Sequence, residues 1–175
     1  KPHQTEKVIT EIRPLLQKDQ ILVSVVTGVK IEVLKEYCGA DVHIFRAMPN
    51  TAIAIRESMT CISTRDDSAE NKDIVFSIFD QLGKTIKIEE ELMDASTVLA
   101  ACGIAYALRF IRAASQGGIE IGFDSATAQL IASQTVRGAA GLLIEGGEHP
   151  EYEIDKVTTP MGCTIAGLNE MEHQG

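Results

Sequence analysis

Short apolar runs alternate with helical periodicity over the first half of the chain, and this alternation is what most limits its fold. Apolar residues recur at helical spacing over residues 4–18, and a β-branched run follows at 21–26. Strands that alternate with helices predict a mainly parallel sheet with helices on its faces. The further predicted elements are a helix at 31–37, a strand at 41–46, a strand at 58–63, a helix at 68–82 and a strand at 85–88.

The second half of the chain has a different pattern, with long alanine-rich helical stretches at 94–116 and 124–145. The segment 117–122, which contains three glycines, is expected to separate the two helices, and Asp124 or Ser125 is expected to cap the second. Both helices are apolar on more than one face, and two helices cannot cover such faces for each other. A second subunit is therefore the expected cover.

These patterns predict two domains. Residues 1–90 form the α/β domain, and residues 91–175 form a helical domain. A loop at 146–150, a short helix and a final helix at about 164–172 complete the helical domain.

Composition narrows the possible partners. The net charge of -9 and the pI near 4.9 argue against a nucleic-acid partner, because a phosphate-binding face needs clustered basic residues and the 16 Lys and Arg residues are dispersed. The four cysteines lack metal-ligand spacing, so no metal site or disulfide framework is expected, and reduced thiols favour a cytoplasmic location. Neither an apolar signal region nor a run of ~20 apolar residues is found, so no membrane partner is expected.

One segment has the residues of a carboxylate-binding turn. Residues 157–168 read V-T-T-P-M-G-C-T-I-A-G-L and combine hydroxyl groups with a glycine at the predicted start of a helix. Thr158, Thr159 and Thr164 can donate hydrogen bonds, and Gly162 lets the backbone approach a ligand closely. The N–H groups of a first helical turn have no intrahelical partner, and an anion can satisfy them. The alternative is that Thr159 ends one element and Thr164 caps the next.

Two loops follow predicted strands, where α/β sheets present ligand-binding residues. Arg46, Asn50 and Thr51 can supply donors after the second strand, although an Asn side chain that binds its own backbone is an equal alternative. Thr27-Gly28 follows the first strand and could face a cofactor or only turn the chain. The G-x-G-x-x-G fingerprint of dinucleotide-binding folds is absent.

The order and spacing of these motifs resemble the pyrroline-5-carboxylate reductase family along essentially the whole chain. The most specific motifs are the M-P-N-T loop and V-T-T-P-M-G-C-T-I-A-G-L, which is similar to the family's V-T-S-P-G-G-x-T-I-x-G-L. The other motifs are Lys1-Pro2, Ser24-x-x-Thr27-Gly28-Val29, Gly103-x-Ala105-Tyr106, Gln134-Thr135-Val136-x-Gly138-Ala139-Ala140 and Glu148-His149-Pro150.

The resemblance implies an NAD(P)H-dependent imine oxidoreductase that reduces the C=N bond of L-1-pyrroline-5-carboxylate to L-proline. It implies a Rossmann-type partial parallel sheet followed by an all-α dimerisation domain of the 6-phosphogluconate dehydrogenase C-terminal-like type, in a homodimer or higher homo-oligomer. It places Lys1-Pro2 in a cofactor loop after a Rossmann strand, so the glycine fingerprint is expected upstream of this chain, and the last helix is expected to be cut short. The sequence leaves the choice between NADPH and NADH open.

The resemblance also assigns roles to individual residues. Thr164 is implied to be the catalytic hydroxyl near the ring nitrogen. The implied substrate-binding residues are Val157, Thr158, Thr159, Gly162, Cys163 and Thr164. The implied cofactor-binding residues are Lys1, Pro2, Thr27, Gly28, Met48, Pro49 and Asn50.

The chain departs from the family pattern at two places. Ala100 to Tyr106 reads A-A-C-G-I-A-Y where S-G-S-G-P-A-Y is usual, and the loss of proline is expected to make that helix more regular. Met161 stands where the family has glycine and is strained by ~1 kcal/mol or more if φ is positive there. The alternatives are a dimerising or ligand-binding remnant without catalysis, and a hydroxy-acid dehydrogenase, whose expected catalytic lysine is absent from 94–116.

Overall fold

The structure is a computed structural model that describes residues 1–39, 41–66 and 68–174. The chain divides into two compact units, Lys1–Leu108 and Arg109–Gly175. The domain boundary near residue 90 stays a prediction, although residues around Met93 pack on the sheet and so belong to the first unit.

The first unit contains a four-stranded sheet and the helices that pack on it. Its strands are β1 (Ile21–Ser24), β2 (His43–Met48), β3 (Ser58–Thr64) and β4 (Gly83–Lys87). Its helices are α1 (Thr5–Ile12), α2 (Ile31–Cys38), α3 (Ala69–Asp80) and α4 (Met93–Ser96), with a π-helical segment at Thr97–Ala101 and the start of α5 (Gly103–Glu120). Short 3-10 turns lie at Pro2–Gln4, Arg13–Leu15, Thr51–Ile55 and Glu90–Leu92.

The strands lie in the order β1-β2-β3-β4, and two of the three neighbouring pairs are parallel, which confirms a mainly parallel sheet. β1 pairs with β2 and β3 pairs with β4 in parallel, whereas β2 and β3 pair antiparallel. The sequence pattern did not predict the antiparallel pairing. Its cause is the short connection at 49–57, since parallel neighbours need a crossover of about a dozen residues or more.

The two faces of the sheet bury different side chains. On one face, Phe45, Ala47 and Ile62 pack against Val75 and Phe79 of α3. On the other face, three groups of side chains follow one another along β2. They are an apolar cluster with α1 and α2 (Ile9, Ile31, Leu34, Cys38, Val42, Ile44), the charged side chain of Arg46, and an apolar cluster with α4 (Met48, Cys61, Met93).

Two predicted elements are shorter than expected. The helix predicted at 4–18 ends at Ile12 and gives way to a 3-10 turn at Arg13–Leu15, because Pro14 has no N–H to continue the α-helical ladder. The strand predicted at 21–26 ends at Ser24, whose Oγ accepts a 3.4 Å hydrogen bond from the N–H of Val26.

The expected regularity of the helix at 94–116 is wrong. Thr97–Ala101 is π-helical, and the N–H of Cys102 donates to the carbonyl of Thr97 at 2.9 Å, five residues earlier. Hydroxyl groups of Ser96 and Thr97 also bind the Met93 carbonyl at 2.8 and 3.0 Å. The backbone carbonyls of Met93 and Thr97 therefore depart from the hydrogen-bond pattern of a regular α-helix, although no proline lies in this segment.

The second unit contains the end of α5, α6 (Ser125–Gly146), α7 (Pro150–Val157) and α8 (Cys163–Gln174). Asp124 caps α6 as predicted, with its carboxylate accepting from two backbone N–H groups at 3.0 and 3.1 Å. The expected break between the two helices is confirmed at Gly122 but is wrong for Gly117-Gly118, because α5 runs through these two residues to Glu120. A Cβ on Gly118 would lie 3.0 Å from that of Ala128, so this glycine lets α5 and α6 approach closely.

The helices of the second unit leave large apolar side chains exposed. Among its described residues, the buried ones are Ala128 and Ala132, whereas Leu130 is 70% exposed.

The stretch Glu90–Glu120 is long and apolar enough, by length and composition alone, to cross a membrane. The expectation that the chain has no such run is therefore wrong by that measure. Arg109 and Arg112 lie within this stretch.

Candidate functional site

Two predicted cofactor loops lie at the carboxyl ends of the neighbouring parallel strands β1 and β2. Thr27 and Gly28 are exposed, and the Thr27 hydroxyl donates to the Met48 sulfur at 3.9 Å. Gly28 has φ +75°, and a Cβ built on it would meet nothing within 4 Å. The first loop thus presents open backbone, and the structure brings it together with the second loop.

Met48 and Pro49 differ in how they can serve a ligand. The Met48 side chain is 5% exposed and packs against Cys61 and Met93, so in this structure it supports the loop from beneath. Pro49 is half-buried. Contact between Met48 and a nicotinamide ring stays a prediction.

Asn50 uses its side chain to organise the protein. Its Oδ1 accepts from the Ala52 N–H at 3.0 Å, and its Nδ2 donates to the Ala100 carbonyl at 3.3 Å, in the π-helical segment. Its backbone N–H donates to Ser58 Oγ at 3.1 Å. The Asn50 side chain therefore binds the backbone of its own turn, as the alternative interpretation expected. One of its two Nδ2 protons has no hydrogen-bond partner among the described residues.

Arg46 does not present a donor in the loop, contrary to expectation. Its side chain is 3% exposed, and its Nη1 donates to Glu90 Oε1 at 3.0 Å. Nothing in the local sequence pattern distinguishes Glu90 from Glu89 and Glu91, so this partner of Arg46 could not be predicted.

Lys1 and Pro2 lie at the opening of a 3-10 turn that leads into α1. Both are exposed. Lys1 lines a mainly apolar groove of about 330 Å³ along β1, together with Val25 and Val26. The structure thus brings Lys1 to the same groove as the segment that leads to Thr27.

The predicted carboxylate turn lies between α7 and α8. The Gly162 N–H donates to the Thr159 carbonyl at 3.0 Å, which closes a four-residue turn. A Cβ on Gly162 would lie 2.5 Å from Thr159 Oγ1, so glycine is needed for this close approach. Met161 has φ +59° and a fully exposed side chain, so the condition under which strain was expected at this position is met. Pro at the second and positive φ at the third position are the marks of a type II turn.

The hydroxyl groups around this turn have different partners. The Thr158 hydroxyl donates to the Ile154 carbonyl at 2.7 Å, so it closes α7 and does not offer its proton to a ligand here. Thr164 lies inside α8, which begins at Cys163, so the alternative of Thr164 as an N-cap is wrong. Thr159 is exposed and Thr164 is half-buried. Val157, also in this segment, is 62% exposed.

A separate ionic cluster fixes the loop between β3 and α3. Asp66 accepts from the Ser68 N–H at 2.8 Å and Asn71 Nδ2 at 2.9 Å, and it lies 2.6 Å from His43 Nδ1. Burial acts to raise the pKa of the Asp66 carboxyl, but these hydrogen bonds and His43 outweigh it, so the pKa lies below its usual value. The cluster stabilises the fold and contains none of the predicted site residues.

Comparisons with known proteins agree with both units. A family model described as pyrroline-5-carboxylate reductase dimerisation matches residues 90–175. The chain therefore combines a small, mainly parallel sheet with a helical dimerisation domain, as predicted. Within this class of α/β proteins, it belongs to the pyrroline-5-carboxylate reductase family.

Individual relatives give the extent of the similarity. The chain is 49% identical to pyrroline-5-carboxylate reductase 1 of Dictyostelium discoideum over 99% of this chain and 34% of that protein. It is 40% identical to the Arabidopsis thaliana pyrroline-5-carboxylate reductase over 98% of this chain and 62% of that protein. The Plasmodium falciparum pyrroline carboxylate reductase structure with NADP bound has a TM-score of 0.89 and 26% identity, with 99% of this chain and 70% of that chain covered.

Proposed function

We propose that this chain is part of an enzyme that reduces the C=N bond of L-1-pyrroline-5-carboxylate with NAD(P)H and yields L-proline. Membership of the reductase family supports the reaction. The structural observation that carries the proposal is the closed turn from Thr159 to Gly162 at the start of α8. It combines an exposed hydroxyl, a glycine in close approach and the N–H groups of a first helical turn.

In this proposal the turn holds the substrate carboxylate. The N–H groups of Cys163 and Thr164 open α8, where no earlier turn accepts from them, and the Thr159 hydroxyl is exposed beside them. Thr164 places a hydroxyl near the ring nitrogen, and Val157 forms an apolar wall for the ring carbons. Thr158 acts through its bond to Ile154, which fixes where the turn begins.

The proposed cofactor is NADPH or NADH, which supplies the hydride when bound. The Plasmodium falciparum relative has NADP bound. The open backbone at Gly28 and the exposed Thr27 fit a dinucleotide at the ends of β1 and β2. The chain spans 34% and 63% of two curated relatives and has no glycine-rich fingerprint, so we assign the activity to a longer polypeptide that contains it.

We further propose a homodimer formed through the second unit. The exposed Leu130, Leu142 and Ile144 of α6 form apolar surface that a soluble monomer rarely exposes. A second copy of the chain would cover this surface, and the family model that matches the second half of the chain is described as a dimerisation domain. The exposed apolar surface of Glu90–Glu120 also supports a second copy. The four cysteines are free thiols, which supports a reducing compartment such as the cytoplasm.

Turnover of the complete protein tests the reaction. NAD(P)H oxidation is measured with pyrroline-5-carboxylate, and proline is identified as the product. Thr164→Val keeps the shape of the side chain and removes its hydroxyl, so kcat is expected to fall while NADPH affinity is kept. A folded complete protein that gives no turnover contradicts the proposal.

A second candidate is a dimerising or ligand-binding remnant without catalysis, favoured by the missing fingerprint in this chain. Titration of the isolated 175-residue chain with NADPH tests the remnant, which is defined by the loss of cofactor binding. Micromolar binding would contradict the remnant.

A further inference from the structure

A buried charge lies between two apolar clusters on one face of the sheet. Along β2, Ile44 packs in the cluster with α1 and α2, and Met48 packs in the cluster with α4. Arg46 occupies the position between them and is 2% exposed as a residue. A charged group in such surroundings is costly unless it is paired. The partner of Arg46 therefore has a strong influence on local structure.

That partner is Glu90, whose side chain is 8% exposed. Glu90 Oε1 accepts from Arg46 Nη1 at 3.0 Å and from the Ile31 N–H at 2.7 Å. Glu90 Oε2 accepts from Arg65 Nη2 at 3.3 Å, and Arg65 also pairs with Glu32. Arg46 Nε has no hydrogen-bond partner among the described residues, so the direction of the guanidinium depends on its contact with Glu90.

The groups that Glu90 binds lie next to both predicted cofactor loops. Ile31 is the first residue of α2 and follows the Thr27-Gly28 loop after two residues. One residue, Ala47, separates Arg46 from Met48-Pro49-Asn50. The N–H groups of a first helical turn have no partner within the helix, and a carboxylate there is also favoured by the helix dipole. One carboxylate thus fixes the starting point of α2 and the end of β2.

We propose that Glu90 is a positioning residue for dinucleotide binding. It holds the Thr27-Gly28 loop and the Met48-Pro49-Asn50 loop in register by binding the Ile31 N–H and Arg46 together, and it does not touch the dinucleotide itself. The Thr27 hydroxyl donates to the Met48 sulfur at 3.9 Å, so the two loops are in direct contact. This inference rests on the proposed function, since it assumes that the loops bind NAD(P)H.

Isothermal titration calorimetry of the complete protein with NADPH tests the inference. Glu90→Gln keeps an oxygen acceptor for Ile31 but loses the charge opposite Arg46, and a dissociation constant about tenfold higher is expected. Glu90→Ala removes the contacts with the Ile31 N–H, Arg46 and Arg65, and an increase of about 100-fold is expected. Glu91→Gln is the matched control, because Glu91 is exposed and adjacent, and wild-type affinity is expected there.

A double variant keeps the test decisive if Glu90→Ala does not fold. Arg46→Met with Glu90→Leu replaces the buried pair by apolar side chains, an exchange that often leaves stability unchanged or raises it. A near wild-type Tm with NADPH binding weakened about tenfold or more is expected, because the Ile31 N–H still lacks its acceptor.

The titration separates positioning from stability. Loss of stability alone lowers Tm but leaves the dissociation constant unchanged as long as the variant is folded at the temperature of the titration, because only an unfolded fraction raises the apparent constant. Wild-type dissociation constants in Glu90→Gln and in the folded double variant overturn the positioning role. Absence of NADPH binding or turnover in the wild-type complete protein overturns the proposed function instead, and the positioning role with it.

Discussion

Replacement of Met161 by glycine is expected to stabilise the protein. Met161 has φ +59°, a conformation that costs an L-residue roughly 1–2 kcal/mol, and its side chain is fully exposed, so no buried contact is lost. Glycine removes this strain, but it also has more conformational freedom in the unfolded chain. That freedom favours unfolding by about 0.4–1 kcal/mol and offsets part of the gain. The net gain therefore lies between about 0 and 1.6 kcal/mol, and its central value near 0.8 kcal/mol corresponds to roughly 2–3 °C in Tm for a chain of this size.

Urea unfolding followed by circular dichroism measures this difference. Met161→Ala is the control, because alanine also lacks burial at this position but keeps the strained φ, and a change within about 0.5 kcal/mol of wild type is expected. If Met161→Gly destabilises the chain, or if Met161→Ala stabilises it as much, then relief of backbone strain at Met161 does not account for the change in stability and the reasoning is refuted.

Four other predictions follow from single contacts. Gly162→Ala brings a Cβ within 2.5 Å of Thr159 Oγ1 and should raise KM for pyrroline-5-carboxylate about tenfold or more in steady-state assays of the complete protein; an unchanged KM contradicts the carboxylate turn. The Asp66 pKa is lowered on folding, so its contribution to stability is present above the ordinary pKa of about 4 and is lost as pH falls below it; acid unfolding of Asp66→Asn should show a weaker pH dependence, and an identical pH profile excludes this contribution. Asp124→Ala removes the cap of α6 and should lower the midpoint of urea unfolding, and an unchanged midpoint argues against the cap. Leu130→Asp should shift the protein toward monomer in sedimentation velocity, and an unchanged dimer would place the interface elsewhere.

Short sequence motifs located the loops well but did not identify the partners of their side chains. Asn50 is a case in point, because its sequence left ligand binding and self-binding open. The structure adds the Ala100 carbonyl as a partner from a distant segment, in a π-helical turn that the loss of proline was expected to prevent. Long-range acceptors of this kind leave no local periodicity to detect.

The ion pair of Arg46 and Glu90 shows the same limit. Arg46 could be recognised as a polar residue near the end of a strand, and such residues often reach a ligand. Its side chain instead points into the face between two apolar clusters, where it is neutralised by a carboxylate 44 positions later. Arg46 is buried because helices cover the face of β2 on which its side chain lies. Three separate helices, α1, α2 and α4, provide that cover together.

The sequence by itself predicted the alternation of helices and strands, a cap at Asp124 or Ser125, and strain at Met161 under the condition of a positive φ, because each depends on residues close together in the chain. Only the tertiary structure decided the antiparallel pairing of β2 with β3, the burial of Met48 and the carboxylate that joins α2 to β2. The physical reason is that pairing direction, burial and ion pairing are set by segments that meet only after folding.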